Sequence, residues 1–305
     1  MRRTAAGVDG VLLLDKPGGI SSNTALQRVR TLYGHPKGGH TGTLDPLATG
    51  LLPICLGEAT KFAGSLLEED KSYEATLRLG FRSSTGDAEG TLVRVAAPEF
   101  GEAQLLAALK SLTGSIEQTP PMYSAVKVRG QPLYRHAREG REVERLARSV
   151  HVRRLELLER AGEELRLAVS CSKGTYVRVL AEDLGARLGC GAYLSALRRT
   201  AIGHFAVAQA VSLPELEGMD AAQRRARLLP VDALLSALPR LELSAEAGSR
   251  VQRGLPAVGL DRSSEGPVRL YAPSGRFLGL GEADGKGGVT PKRLIADHPK
   301  TGLTP

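Results

Sequence analysis

"GGHTGTLDPLATGLLP", Gly38 to Pro53, sets one carboxylate among glycines, threonines and prolines and then runs into an apolar stretch. The continuation "LLPICLG" reads as a buried strand, a short apolar run closed by glycine. Asp45 before Pro46 is a turn signal in its own right, because proline fixes φ and an Asp side chain can accept from nearby backbone N–H groups. Gly38, Gly39, Gly42 and Gly50 would let a ligand approach the backbone. Thr41 and Thr43 add hydroxyls, and His40, polar and set among glycines, is poorly placed for a core. A carboxylate on a loop between sheet elements is where chemistry is usually found.

Working outward, Val11–Leu14 reads as a short strand closed by "DKPGG". "SSNTALQRVRTLYG" reads as a helix capped by Ser21, Ser22 or Asn23, with Leu26, Val29 and Leu32 on one face. Downstream, "EATKFAGSLLEED" predicts a helix and "KSYEATLRLG" a half-buried strand, with "TLVRV" as its hairpin partner across "STGDAEG". "EAQLLAALKSLTG" is a further helix ending at Gly114. Residues 120–150 mix tyrosines with seven arginines and lysines and predict an insertion projecting from the core. Strands "SVHVRRLELLER" and "EELRLAVSCSKG", the helix "TYVRVLAEDLGARLGC" and the strand "YLSALRRTAIGHF" follow. This order predicts an α+β fold with a mixed or antiparallel central sheet flanked by helices. After Leu235 short strands alternate with glycine turns, which divides the chain into 1–235 and a small β-rich unit at 236–305.

The 305 residues carry a formal charge of +8, which suits a polyanionic partner. Tryptophan is absent and aromatics make up 4 %, so recognition by many stacked rings is not expected. No run is long and apolar enough for a membrane span, and the start is wrong for a signal peptide. Cys55, Cys171 and Cys190 are widely spaced, without a CxxC, and point to a reduced, cytoplasmic protein without disulfides or a zinc site. "SAVK", Ser124 to Lys127, matches the S-x-x-K of serine acyl-enzymes, but the partner elements of that chemistry are missing. A paired-carboxylate mechanism would need a second acid; Asp15, Asp87 and Asp183 are available, and nothing local places one beside Asp45.

The blocks "GVLLLDKPGGISSN", "GHTGTLDPLATGLLPICLGEATKF", "KSYEATLRLG", "PPMYSAVKVRGQPLY", "CSKGTYVRVLAEDLG" and "CGAYLSALRR" together resemble the bacterial tRNA pseudouridine synthase B (TruB) family, in family order over about the first 200 residues. The tail resembles the family's small PUA-type RNA-binding domain. The resemblance implies a pseudouridine synthase fold and conversion of uridine 55 in the tRNA T-loop to pseudouridine by base flipping. It implies no cofactor, no metal and a monomer acting on the T-arm stem-loop.

Carried onto this chain, the resemblance makes Asp45 the catalytic aspartate and Arg178 its ion-pair partner, expected to lower its pKa. From the residues alone, the reading favoured for Arg178 is a surface pair with Glu182 one turn along a helix. Tyr73 and Tyr176 match active-site tyrosines, Tyr73 stacking on the target base, and Leu197 an apolar residue packing the pocket's other side. His40 matches the residue that takes the flipped nucleotide's place, and Lys16 a lysine near the catalytic sheet, here counted with the RNA-binding set. Lys127, Arg129, Arg135 and Arg138 would contact phosphates from the insertion. A tRNA-binding or refolding module without catalysis is the alternative; the Asp45, Tyr73 and Arg178 set argues against it.

Overall fold

Strand β1 (Gly10–Lys16) is buried on both faces, which is why its sequence is continuously apolar rather than alternating. Val11 and Leu13 face one hydrophobic core, and Leu12 and Leu14 face another. The structure, a computed structural model, describes residues 8–34, 37–128, 130–259 and 264–296. Helix α1 (Ser22–Leu32) follows, its N-terminus capped by Ser21, whose Oγ accepts from the Thr24 N–H. It buries Ala25, Leu26 and Val29 against the second core. Strand β2 (Gly38–His40) and the loop carrying Asp45 lead into β3 (Thr49–Leu56), antiparallel to β1 over seven residue pairs from Gly10↔Leu56 to Lys16↔Gly50. Pro53 is tolerated inside β3 because its carbonyl, and hence its ring nitrogen, faces the side where β2 has ended; the carbonyl accepts from the Thr41 N–H.

The rest of the chain builds the other half of the sheet. After a 3₁₀ turn at Gly57–Lys61 and the short α2 (Ala63–Glu68) come β4 (Lys71–Leu79), the hairpin β5 (Phe81–Ser83) and β6 (Leu92–Arg94), α3 (Glu102–Ser111) and β7 (Gly114–Gln118). The insertion contributes β8 (Lys127–Val128), β9 (Gln131–Pro132) and α4 (Leu133–Arg138). Then β10 (Arg148–Ala161), β11 (Glu164–Cys171), α5 (Val177–Arg187) and β12 (Ala192–Ile202) close the body. Along the main path the order is Val211–Ser212, β1, β3, β12, β4, β11, β10, β7. The sheet is mixed: β3 and β12 run parallel, and the pairings from β12 to β7 are antiparallel.

Two expectations change. "TLVRV" pairs with β5 in a separate two-stranded ribbon, because both edges of β4 are taken by β11 and β12. The helix expected over residues 58–70 divides into the 3₁₀ turn and the six residues of α2.

Strands Arg240–Glu242, Glu265–Tyr271, Phe277–Asp284 and Val289–Leu294 form a separate four-stranded sheet. Tyr271 and Phe277 from it share a core with Val11, Leu13, Leu51 and Phe62, on the β1/β3 face turned away from α1. Polar bonds reinforce this contact: Lys61 Nζ donates to Leu294 O at 2.9 Å, Arg293 donates to Lys61 O at 2.7 Å, and the Ala296 N–H donates to Glu58 Oε2 at 2.6 Å.

Candidate active site

The β3–β12 junction is only two residue pairs long, Thr49↔Arg198 and Gly50↔Arg199. Tyr73 and Leu197 pack against the cores of both sheet halves and so mark this seam. Above it lies a cavity of about 300 Å³, walled by Asp45, Tyr73, Tyr176, Arg178 and Leu197 among others.

Asp45 does start a turn: its backbone carbonyl accepts from the Ala48 N–H at 3.1 Å. Its carboxylate is not spent there. Oδ2 lies 3.1 Å from Arg178 Nε, and the side chain keeps 41 % of its surface at the cavity mouth. The loop is tied down on both sides of Asp45. Buried Ser22 donates to Leu44 O at 2.9 Å and accepts from the Leu44 N–H at 2.8 Å. The Gly19 N–H donates to Pro46 O at 2.9 Å, and Lys16 Nζ reaches the same carbonyl at 3.5 Å. The "DKPGGISS" segment is therefore the anchor of the Asp45 loop.

Arg178 is 6 % exposed in its side chain and its fork is filled. Besides Asp45, Nη1 donates to Thr85 O at 3.0 Å and lies 3.5 Å from Asp87 Oδ2, while Nη2 donates to Tyr123 O at 2.8 Å. The ion pairs of Arg178 thus run to Asp45 and Asp87, not to Glu182. Asp87, 2 % exposed, has its other oxygen held by Thr85 Oγ1 at 2.6 Å and the Glu89 N–H at 3.1 Å. It is the second carboxylate that the sequence could not place. Enclosure pushes the Asp45 carboxyl above the usual carboxylate range; Arg178 opposes this most strongly, Asp87 adds to the rise and Lys16 resists it. The expected net lowering by Arg178 is thus reversed, because desolvation outweighs the cation.

Arg199, which the sequence reading missed, is 1 % exposed. Its Nε donates to Leu51 O at 2.8 Å and Nη2 to Gly42 O at 2.9 Å. It sits directly across from Tyr73 in the β12–β4 pairing, its charge close to the Tyr73 phenol. Burial raises the Tyr73 phenol, with Arg199 pulling the other way, so the hydroxyl is protonated at neutral pH. Neighbouring Arg198 points to the other face, bidentate on Asp15 at 2.6 and 3.0 Å. Alternation in "ALRR" puts one arginine inward, and that is the only signal that could have found it.

Two of the loop glycines serve Arg199 rather than a ligand. A Cβ on Gly50 would lie 2.3 Å from Arg199 O, and one on Gly42 would lie 3.3 Å from Arg199 Nη1.

The remaining residues separate by place. Tyr176 caps the start of α5, exchanges backbone hydrogen bonds with the Gln118 amide, and has Arg148 over its ring at 5.5 Å. Lys16 is fully buried and offers no surface to an RNA phosphate; its ammonium donates to Pro17 O and Ile20 O at 2.8 and 2.7 Å, and burial brings it down to about 8. His40 closes β2 half-buried, its Nδ1 covered and without a partner among the described residues, and enclosure favours the neutral ring. Lys127, Arg135 and Arg138 are exposed on the insertion, Arg138 over the Tyr134 ring at 5.6 Å. Arg129 lies outside the described residues.

Three family models match successive parts of the chain, the first boundary falling at the start of α5. Residues 30–177 match the profile of the TruB family pseudouridylate synthase N-terminal domain, 178–236 that of the tRNA pseudouridylate synthase B C-terminal domain, and 239–295 that of the pseudouridine synthase II TruB C-terminal region. The tRNA pseudouridine synthase B of Aromatoleum aromaticum is 56 % identical over 95 % of this chain and 93 % of its own length. That of Dechloromonas aromatica is 51 % identical over 96 % of this chain and 98 % of its own. Among solved structures, a chain of a Cbf5-Nop10-Gar1 complex superposes with a TM-score of 0.72 at 26 % identity, covering 94 % of this chain and 85 % of that one.

Proposed function

The chain belongs to the TruB family of pseudouridylate synthases and is a tRNA pseudouridine synthase, and we propose that it isomerises uridine 55 of the T-loop with Asp45 as its catalytic carboxylate. The observation that carries this reading is the Asp45 carboxylate itself. It is free of its own turn, paired to a buried, fully engaged Arg178, and set on a cavity with a tyrosine and a leucine on its walls.

In the reaction the C1′–N1 bond breaks and a C1′–C5 bond forms. The proton on C5 leaves, and N1 gains one. Two routes use the same carboxylate. Asp45 attacks C1′ or C6 as a nucleophile, or it stabilises positive charge at C1′ and moves the proton. Both need it ionised, and the Arg178 pair favours that form. Tyr73 and Leu197 offer a ring and an aliphatic chain suited to a flat base that has left its stack. Exposed Lys127, Arg135 and Arg138 supply phosphate contacts from the insertion, and the four-stranded C-terminal unit supplies further RNA contact. The working form is one chain in the cytoplasm, where its three buried, free cysteines stay reduced.

The test is T-arm stem-loop RNA carrying tritium at uridine C5. Isomerisation releases the label, whereas a binding or refolding module holds the RNA and releases none. The pH dependence follows from the site's charges. A carboxyl raised by enclosure needs a higher pH to ionise, so the acid limb of kcat/KM lies above the ordinary Asp range. Removing the cation in Arg178→Met is expected to carry that limb further up. A limb that stays put would detach Arg178 from the ionisation of Asp45.

A further inference from the structure

Among the groups on the cavity wall to which the proposed mechanism gives no task is Ser124. Ser124 is 6 % exposed and lines the cavity together with Asp45 and Tyr73. Its Oγ is covered and has no hydrogen-bond partner among the described residues. Three carbonyls around it are engaged: Tyr123 O accepts from Arg178, Ser124 O accepts from the Tyr134 N–H at 3.1 Å, and Val126 O accepts from the Leu133 N–H at 2.8 Å. The segment is thus pinned through its carbonyls, while the buried hydroxyl has no partner among the described residues. A buried hydroxyl without a partner destabilises the fold and calls for an explanation.

The acyl-enzyme pattern does not supply one. Lys127 is exposed on β8, and no base bonds to Ser124 Oγ among the described residues. The hydroxyl is therefore not an activated nucleophile. Ser124 sits next to the carbonyl that holds Arg178 and on the wall shared with Asp45, with its Oγ covered in the rotamer seen here.

We propose that the Ser124 hydroxyl is a specificity-determining group that hydrogen-bonds an oxygen of the extruded nucleotide. The proposal rests on the isomerase reading. Uracil presents two carbonyl oxygens and an N–H along its edge, and the ribose presents a 2′-hydroxyl; a serine hydroxyl can bond to either. Turning about χ1 moves Oγ between staggered wells without shifting the backbone, so the pinned segment does not bar it from the ligand.

The experiment compares the full-length wild type with Ser124→Ala on tritiated T-arm RNA and follows thermal unfolding of both. The expected result is a loss in kcat/KM of roughly 3- to 10-fold, the range of one neutral hydrogen bond. The unfolding midpoint stays unchanged or rises, because none of the described residues bonds to the hydroxyl. The loss of RNA affinity is then compared between RNAs with uridine and 2′-deoxyuridine at the target. A loss that persists with the deoxy RNA assigns the bond to the base, and one that vanishes assigns it to the ribose. Unchanged kcat/KM, or a lowered midpoint, overturns the proposal while leaving the isomerase reading intact. Failure of the wild type to release label overturns that reading, and the proposal with it.

Discussion

Asp45→Asn is expected to stop label release, with turnover down on the order of 10⁴-fold or more, while T-arm RNA binds within about twofold of wild type. Asparagine keeps the size and one oxygen of the side chain but removes the charge on which both chemical routes depend. Binding should survive, because the exposed basic groups of the insertion lie elsewhere and Arg178 keeps Asp87, Thr85 and Tyr123 as partners. Stability should survive as well. A carboxyl raised in the folded state binds protons more tightly there than in the unfolded chain, so its contribution to stability falls as pH rises through that window. Above that window the penalty is present, and the neutral amide removes it. Asp45→Asn is accordingly expected to unfold at the same denaturant concentration as wild type, or a higher one. Turnover within tenfold of wild type would take Asp45 out of the mechanism.

The largest structural effect is expected at Gly50. Its φ of +101° lies in the region that favours glycine, and its missing Cβ leaves room for backbone rather than for a flexible side chain. In Gly50→Ala the methyl would lie 2.3 Å from Arg199 O and 2.8 Å from Arg199 N. The only relief is to push β12 off β3 where they share just two residue pairs. We expect a loss of at least about 3 kcal/mol in denaturant unfolding, through backbone strain and overpacking combined. Turnover should fall further than the lost folded fraction explains, since Asp45 precedes β3 while Tyr73, Leu197 and Arg199 belong to β4 and β12. Gly42→Ala is the contrast: its Cβ meets only the Arg199 guanidinium, at 3.3 Å, so strain at φ +78° is its main cost. A Gly50→Ala protein within about 1 kcal/mol of wild type would show that the seam gives way easily.

These sites also mark how far the sequence could be read. The double-buried strands were legible because continuous apolar runs have few other uses, and Asp45 stood out as an acid with no local partner. Asp87 and Arg199 were not legible. Asp87 reaches the site through a turn whose fold depends on Gly90, where a Cβ would strike Ser83 Oγ at 2.4 Å. Arg199 is one of two adjacent arginines, and a register shift between Arg199 and Ala201 leaves strand periodicity a poor guide there. The pairing of "TLVRV" escapes the sequence for a related reason, since which strands claim both edges of β4 is decided by residues about 90 to 130 positions further along. The sign of the Asp45 shift depended on enclosure, which no motif spells out.

The way the tail sits on the body has a practical corollary for anyone shortening this chain. Tyr271 and Phe277 do not merely accompany the catalytic half; they roof the underside of β1 and β3, against Val11, Leu13, Leu51 and Phe62. Cutting after Pro239 would strip that roof and wet a greasy floor directly beneath the strand that leads out of the Asp45 loop. What remained would be a sticky fragment prone to clumping, not a lean isomerase with weaker grip.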